Sequence, residues 1–108
     1  MQTGDIIIMK TYEKLVRDGI PAILDKKGIP YEKRIASDAE YRTELIKKLV
    51  EEAAEFAEQG DPEELADVLE VIEALRKLPE YVDAETLRLV KREERGGFDE
   101  RIILKGEK

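Results

Sequence analysis

The sequence predicts an all-α fold: an antiparallel helical bundle with a small β annex, its helices completed by dimerisation. Three observations point there. Apolar residues recur three and four apart over 37–58 and again over 62–78, the period of helices that bury one face. Helix-start chemistry precedes each run, as Ser37-x-x-Glu40 and as Asp61-Pro62. Aromatic residues make up 6% of the 108 residues and charged ones 42%, so a core must come from aliphatic side chains on amphipathic helices. A chain of this length reads as one domain over 1–108, with 1–8 an extension if Met9 is the natural start.

The elements follow in chain order. In TYEKLVRDGIPAILDKKG, Asp18 and Pro21 mark the start of a short helix. Ile20, Ile23 and Leu24 give it an apolar side, and Gly28 stops it. Tyr31 to Ala36, behind Pro30, reads as a short extended segment. Ser37 opens the main helix, expected to run to about Glu58 with Tyr41, Leu45, Leu49, Ala53 and Phe56 as its stripe. Asp61 caps the next helix, with Pro62 at its first position and Pro79 beyond its end near Leu78. That helix is apolar on two sides. Leu65, Val68, Leu69, Ile72 and Leu75 form one and Val71, Ala74 and Leu78 the other, as suits a helix between two neighbours, one of them a second copy. Asp83 is expected to cap a last helix to about Glu94, with Leu87 and Val90 inward and Gly96-Gly97 as its stop. The tail DERIILKG reads as a strand pairing with 31–36, with Phe98 filling the annex core.

Composition excludes several chemistries. With no Cys there is no disulfide framework and no thiolate, and with no His there is neither a Ser-His-Asp triad nor an imidazole ligand. A net charge of −7 disfavours a nucleic-acid polymer as partner. No run, DIIIM included, is long enough for a signal-peptide core or a membrane span, so a cytoplasmic location without a membrane partner is expected. Chemistry is left to carboxylates, Lys, Arg, Tyr and a bound metal.

The acidic residues of LVEEAAEFAEQGDPEELADVLEVI divide by helical phase. Glu52 follows Leu45 by seven residues and so lies on or beside the buried stripe, and Glu55 is one turn further along the same side. Glu64 and Asp67 repeat the spacing on the next helix, where Asp67 shares the side of Val71, Ala74 and Leu78. A short link makes the two helices antiparallel neighbours, so the pairs can face each other across the interface. Converging carboxylates repel unless a cation neutralises them, and oxygen ligands suit Mg²⁺, with Mn²⁺ as the alternative. Glu64 also has the place of a capping-box partner to Asp61, and acidic residues on a solvated face are the plain alternative for the whole set. Glu51, Glu58, Glu63, Glu70 and Glu73 are read as that kind of surface charge.

The wording EEAAEF and EELADVLEVI, with Glu52-x-x-Glu55 followed by Glu64-x-x-Asp67, resembles the MazG-like all-α nucleoside triphosphate pyrophosphohydrolases. Relatives of phosphoribosyl-ATP pyrophosphohydrolase within that superfamily look similar over roughly 12–104, including KLVRDGIP and KREERGGFDERI. The gap between the acidic pairs is shorter here than in many MazG enzymes, which changes the loop between them. The resemblance implies cleavage between the α and β phosphates of a nucleoside triphosphate, yielding a monophosphate and pyrophosphate, as in nucleotide-pool house-cleaning. It also implies Mg²⁺ on Glu52, Glu55, Glu64 and Asp67, with Glu52 or Glu55 as base for the attacking water, in a homodimer or dimer of dimers. Lys14, Arg17, Lys48, Lys91, Arg92 and Arg95 are the candidate phosphate contacts. Two alternatives stand beside this reading: phosphoribosyl-ATP cleavage in histidine biosynthesis, and a non-catalytic helical dimer that binds a nucleotide or a protein partner.

Overall fold

The structure is a computed structural model and describes residues 13–107. The extension over 1–8 and the DIIIM run lie outside the described residues. Among the described residues four α-helices follow one another: α1 (Ile20–Lys27), α2 (Asp38–Gln59), α3 (Pro62–Arg76) and, after a 3-10 turn at Pro79–Tyr81, α4 (Ala84–Arg95). Among the described residues there is no strand. The all-α class expected from the helical periodicity is present.

Helix ends follow local chemistry with some corrections. Ser37 is extended and its Oγ accepts from the Glu40 N–H at 3.3 Å, as expected. The Glu40 carboxylate does not return to the helix start; both of its oxygens accept from Arg34, each at 2.7 Å. Asp18 does not cap α1, and Asp83 makes no side-chain bond at the start of α4. At the other end of α1, Gly28 takes the left-handed conformation, φ 69°, that ends a helix without a Cβ clash.

The turn that matters most is Gly60-Asp61. Gly60 has φ 67° and donates its N–H to Phe56 O at 2.7 Å, closing α2. Asp61 is extended and its Oδ1 accepts from Glu64 N at 2.9 Å, opening α3. This two-residue reversal folds α3 back along α2, and theirs is the only extensive helix–helix contact among the described residues. Leu45 from α2 and Val71 from α3, 3% and 8% exposed, are the buried apolar side chains among the described residues.

Elsewhere the chain is open. Ala53, expected on the buried stripe, is exposed. Leu87 and Val90 do not turn inward but stay about half exposed on α4. The β annex does not form. Ile35, Phe98, Ile103 and Leu104 stand almost fully in solvent, so among the described residues the alternation in the two segments meets no opposing sheet face or core. Arg34, in the first segment, is instead fastened sideways to α2 through Glu40. The radius of gyration is 19.2 Å, against about 13 Å for a compact domain of this length. Among the described residues no helix is long and apolar enough to cross a membrane.

Candidate metal centre

The α2–α3 hairpin fixes the positions of the acidic residues. Leu45 anchors the buried face of α2, and Glu52, almost two turns on, points the same way. Its side chain is 13% exposed, whereas the neighbouring Ala53 is open to solvent. On α3, Asp67 stands one turn before buried Val71, and Glu64 stands one turn before Asp67. The Asp61 cap sets the first turn of α3 and with it the place of Glu64.

The outcome is a pair of carboxylate triads sharing one member. Glu52, Glu64 and Asp67 each bring an oxygen to within 4.8 Å of the others, and Glu51, Glu52 and Glu55 do the same. Glu52 is the hub. Glu52 Oε2 and Glu64 Oε2 are closed off from solvent and, among the described residues, accept no hydrogen bond. Desolvation pushes the Glu52 carboxyl above its ordinary value, aided by the charges of Glu55, Asp67 and Glu51 and opposed by Lys48. Glu64 is raised likewise, by desolvation first and then by Glu55, Asp61, Asp67 and Glu52.

Three cationic side chains approach this cluster. Lys48 Nζ lies 3.2 Å from Glu51 Oε1 and 3.9 Å from Glu52 Oε1. Lys14 Nζ is 4.0 Å from Glu51 Oε1, and Arg17 Nη2 is 2.7 Å from Asp67 Oδ1. Lys14, Arg17 and Lys48, named from the sequence as phosphate contacts, are thus gathered at the acidic cluster. Lys91, Arg92 and Arg95 are not: they lie exposed on α4, where Arg92 pairs with Asp99 at 3.8 Å. Among the described residues none of these three pairs with a carboxylate of the cluster. Arg92 lies across Gly97, 2.9 Å from where a Cβ would stand there, so the Gly-Gly stop leaves room for this side chain.

Glu51 is exposed, as expected of surface charge, and it also belongs to the second triad. The missed signal was its spacing of four from Glu55, which sets both on one helix side. The donor set consists entirely of carboxylate oxygens, two of them orphaned and shielded. That set fits a hard divalent cation, which would meet the unmet acceptors and lower their mutual repulsion. No protein-family model, curated protein or solved structure matches the chain.

Proposed function

We propose that the chain is a Mg²⁺-dependent nucleoside triphosphate pyrophosphohydrolase, with Mn²⁺ as an alternative ion. The reading is carried by one observation: Glu52 joins two carboxylate triads, and its Oε2 and that of Glu64 have no hydrogen-bond partner among the described residues. Support also comes from the resemblance of the two acidic blocks and their flanks to MazG-like enzymes.

In this reading Glu52, Glu55, Glu64 and Asp67 hold the cation, with Glu51 a further oxygen at the rim. A bound divalent ion supplies charge neutralisation at phosphate oxygens and makes water more acidic. Glu55, on the exposed side of α2, takes the proton of the attacking water. Lys48, with Lys14 and Arg17 beside it, offers positive charge to the triphosphate and to the leaving pyrophosphate. Cleavage breaks the bond between the α phosphorus and the bridging oxygen, and water adds a hydroxyl to the α phosphorus.

The working unit in this reading is a homodimer. Leu65, Leu69 and Ile72 on α3 and Val50 on α2 stay exposed in the single chain. Burying them against a second copy would supply a core that the hairpin lacks alone. Such a surface is compatible with a dimer of dimers as well. Release of pyrophosphate from a panel of nucleoside triphosphates and phosphoribosyl-ATP, with Mg²⁺ present, tests the activity. Turnover of a triphosphate supports the reading. Turnover of phosphoribosyl-ATP alone moves it to the histidine-pathway alternative, and no turnover with any divalent ion favours a silent dimer.

A further inference from the structure

Arg17 makes the shortest ion pair at the cluster, and it reaches there from a distant part of the chain. Its Nη2 donates to Asp67 Oδ1 at 2.7 Å across a separation of 50 residues. The other donors of its guanidinium make no hydrogen bond among the described residues. Arg34 is different: both of its terminal nitrogens are engaged with Glu40. A single-point contact is easier to exchange than a bidentate one. The Arg17 and Asp67 side chains are 56% and 40% exposed, so water and ions reach the pair from outside.

The backbone holds Arg17 at this place. The Ile20 N–H donates to Arg17 O at 3.1 Å, closing the turn that leads into α1. Three residues earlier, Lys14 approaches Glu51 on the other triad. The segment before α1 is therefore fastened to the cluster by side-chain charges at two points. Asp67 is also the member of its triad that already has a strong cationic partner, while Glu52 and Glu64 keep orphaned oxygens.

We propose that Arg17 is an internal stand-in for the metal: it holds Asp67 until a divalent cation takes that carboxylate, and its guanidinium then turns to the triphosphate oxygens. This rests on the pyrophosphohydrolase reading above and adds an exchange to it. One cationic group serves the acidic ligands in the resting protein and the anionic substrate in the loaded one. The turn at Arg17–Ile20 keeps the side chain within reach of both.

The test is calorimetric titration of Mn²⁺ into the full chain without nucleotide, comparing wild type with Arg17→Gln and Arg17→Lys. Removing a competing charge of this exposure should tighten Mn²⁺ binding by about two- to fivefold in Arg17→Gln. Arg17→Lys should stay near wild type. A non-hydrolysable nucleoside triphosphate, added with Mn²⁺, should bind several-fold more weakly to Arg17→Gln. In wild type, Mn²⁺ alone should speed amide hydrogen exchange over 13–19, which a purely structural ion pair would not do. That last measurement stands even if the variants fold poorly. If wild type binds Mn²⁺ but Arg17→Gln binds it equally or more weakly, or 13–19 is unchanged by the ion, the exchange is wrong and the metal site survives. If neither protein binds Mn²⁺ with or without nucleotide, the metal reading falls and the exchange with it.

Discussion

Glu40 and Glu52 lie on the same helix and meet opposite fates. Glu40, in the first turn of α2, has both oxygens on Arg34, and that guanidinium holds its carboxyl below the ordinary range. Glu52, three turns on, faces the hairpin seam with one oxygen orphaned, and desolvation pushes its carboxyl up. The same division runs through the hairpin and beyond. Glu73 pairs with Arg76 at 2.7 Å and Glu85 with Arg88 at 2.8 Å, one helical turn apart in each case. Such pairs account for surface charge within the chain. In the Glu52–Glu64–Asp67 group Arg17 meets Asp67, but Glu52 Oε2 and Glu64 Oε2 accept no bond among the described residues, and the proposed cation site rests on that shortfall.

Neutralising the two kinds of acid in turn should separate them by the widest margin. Glu52→Gln or Asp67→Asn should cut pyrophosphate release by at least about 100-fold, the upper end of what even indirect metal-supporting contacts are worth. Glu73→Gln, in a surface pair, should stay within about twofold. Equal rates for all of these in folded protein would remove the distinction.

Packing supplies the next largest effect. Leu45→Ala should lower unfolding free energy in urea by about 2–4 kcal/mol, because it empties the seam that carries Glu52. Ile103→Ala, almost fully exposed, should change it by no more than about 0.5 kcal/mol. A comparable loss at both would mean that the tail is packed in solution.

Acidity sharpens the contrast further, because the two kinds of carboxyl respond with opposite sign. For Glu52 and Glu64 the folded-state pKa is raised from 4.5. Their contribution to stability is therefore full below that value and is lost as pH rises through the higher folded one. For Glu40 and Glu85 the folded value is lowered from 4.5, so their contribution is present above it and is lost as pH falls. Without divalent ions, melting temperature should rise on mild acidification from neutrality and fall again below about 4.5. Glu52→Gln should flatten the first limb and leave the second. A wild-type profile that only declines on acidification from neutrality would contradict the raised pair.

A smaller effect concerns the turn that brings the pairs together. Gly60→Ala places a Cβ on a left-handed residue, φ 67°, with open space around it. The cost should be about 1 kcal/mol, read from the urea midpoint.

Much of the hairpin was legible in the sequence. Ser37, Gly60, Asp61 and Pro62 act through local geometry, so their pattern alone marks the helix ends. The helical phase of Glu52 against Leu45 and of Asp67 against Val71 was enough to set those acids at the seam. What failed depended on distant partners. The alternation in 31–36 and in the tail suits a strand, but a strand needs a neighbour, and these segments find none among the described residues. Glu40 was assigned to its cap by spacing, whereas Arg34 offers it two charge-assisted bonds instead of one neutral one. Lys91, Arg92 and Arg95 were grouped with the phosphate contacts by charge type, and nothing in spacing says which way α4 leads them. Arg17 meets Asp67 only because the segment before α1 returns to α3, a tertiary fact without a local signature.

Whether the carboxylates around Glu52 hold a divalent cation is decided by titrating Mn²⁺ into wild type and Glu52→Gln while following the bound ion by electron paramagnetic resonance. Saturable binding to wild type, strongly weakened in a folded Glu52→Gln, is the predicted result. Wild-type protein that leaves the Mn²⁺ signal that of the free ion, with and without a nucleoside triphosphate, would contradict it.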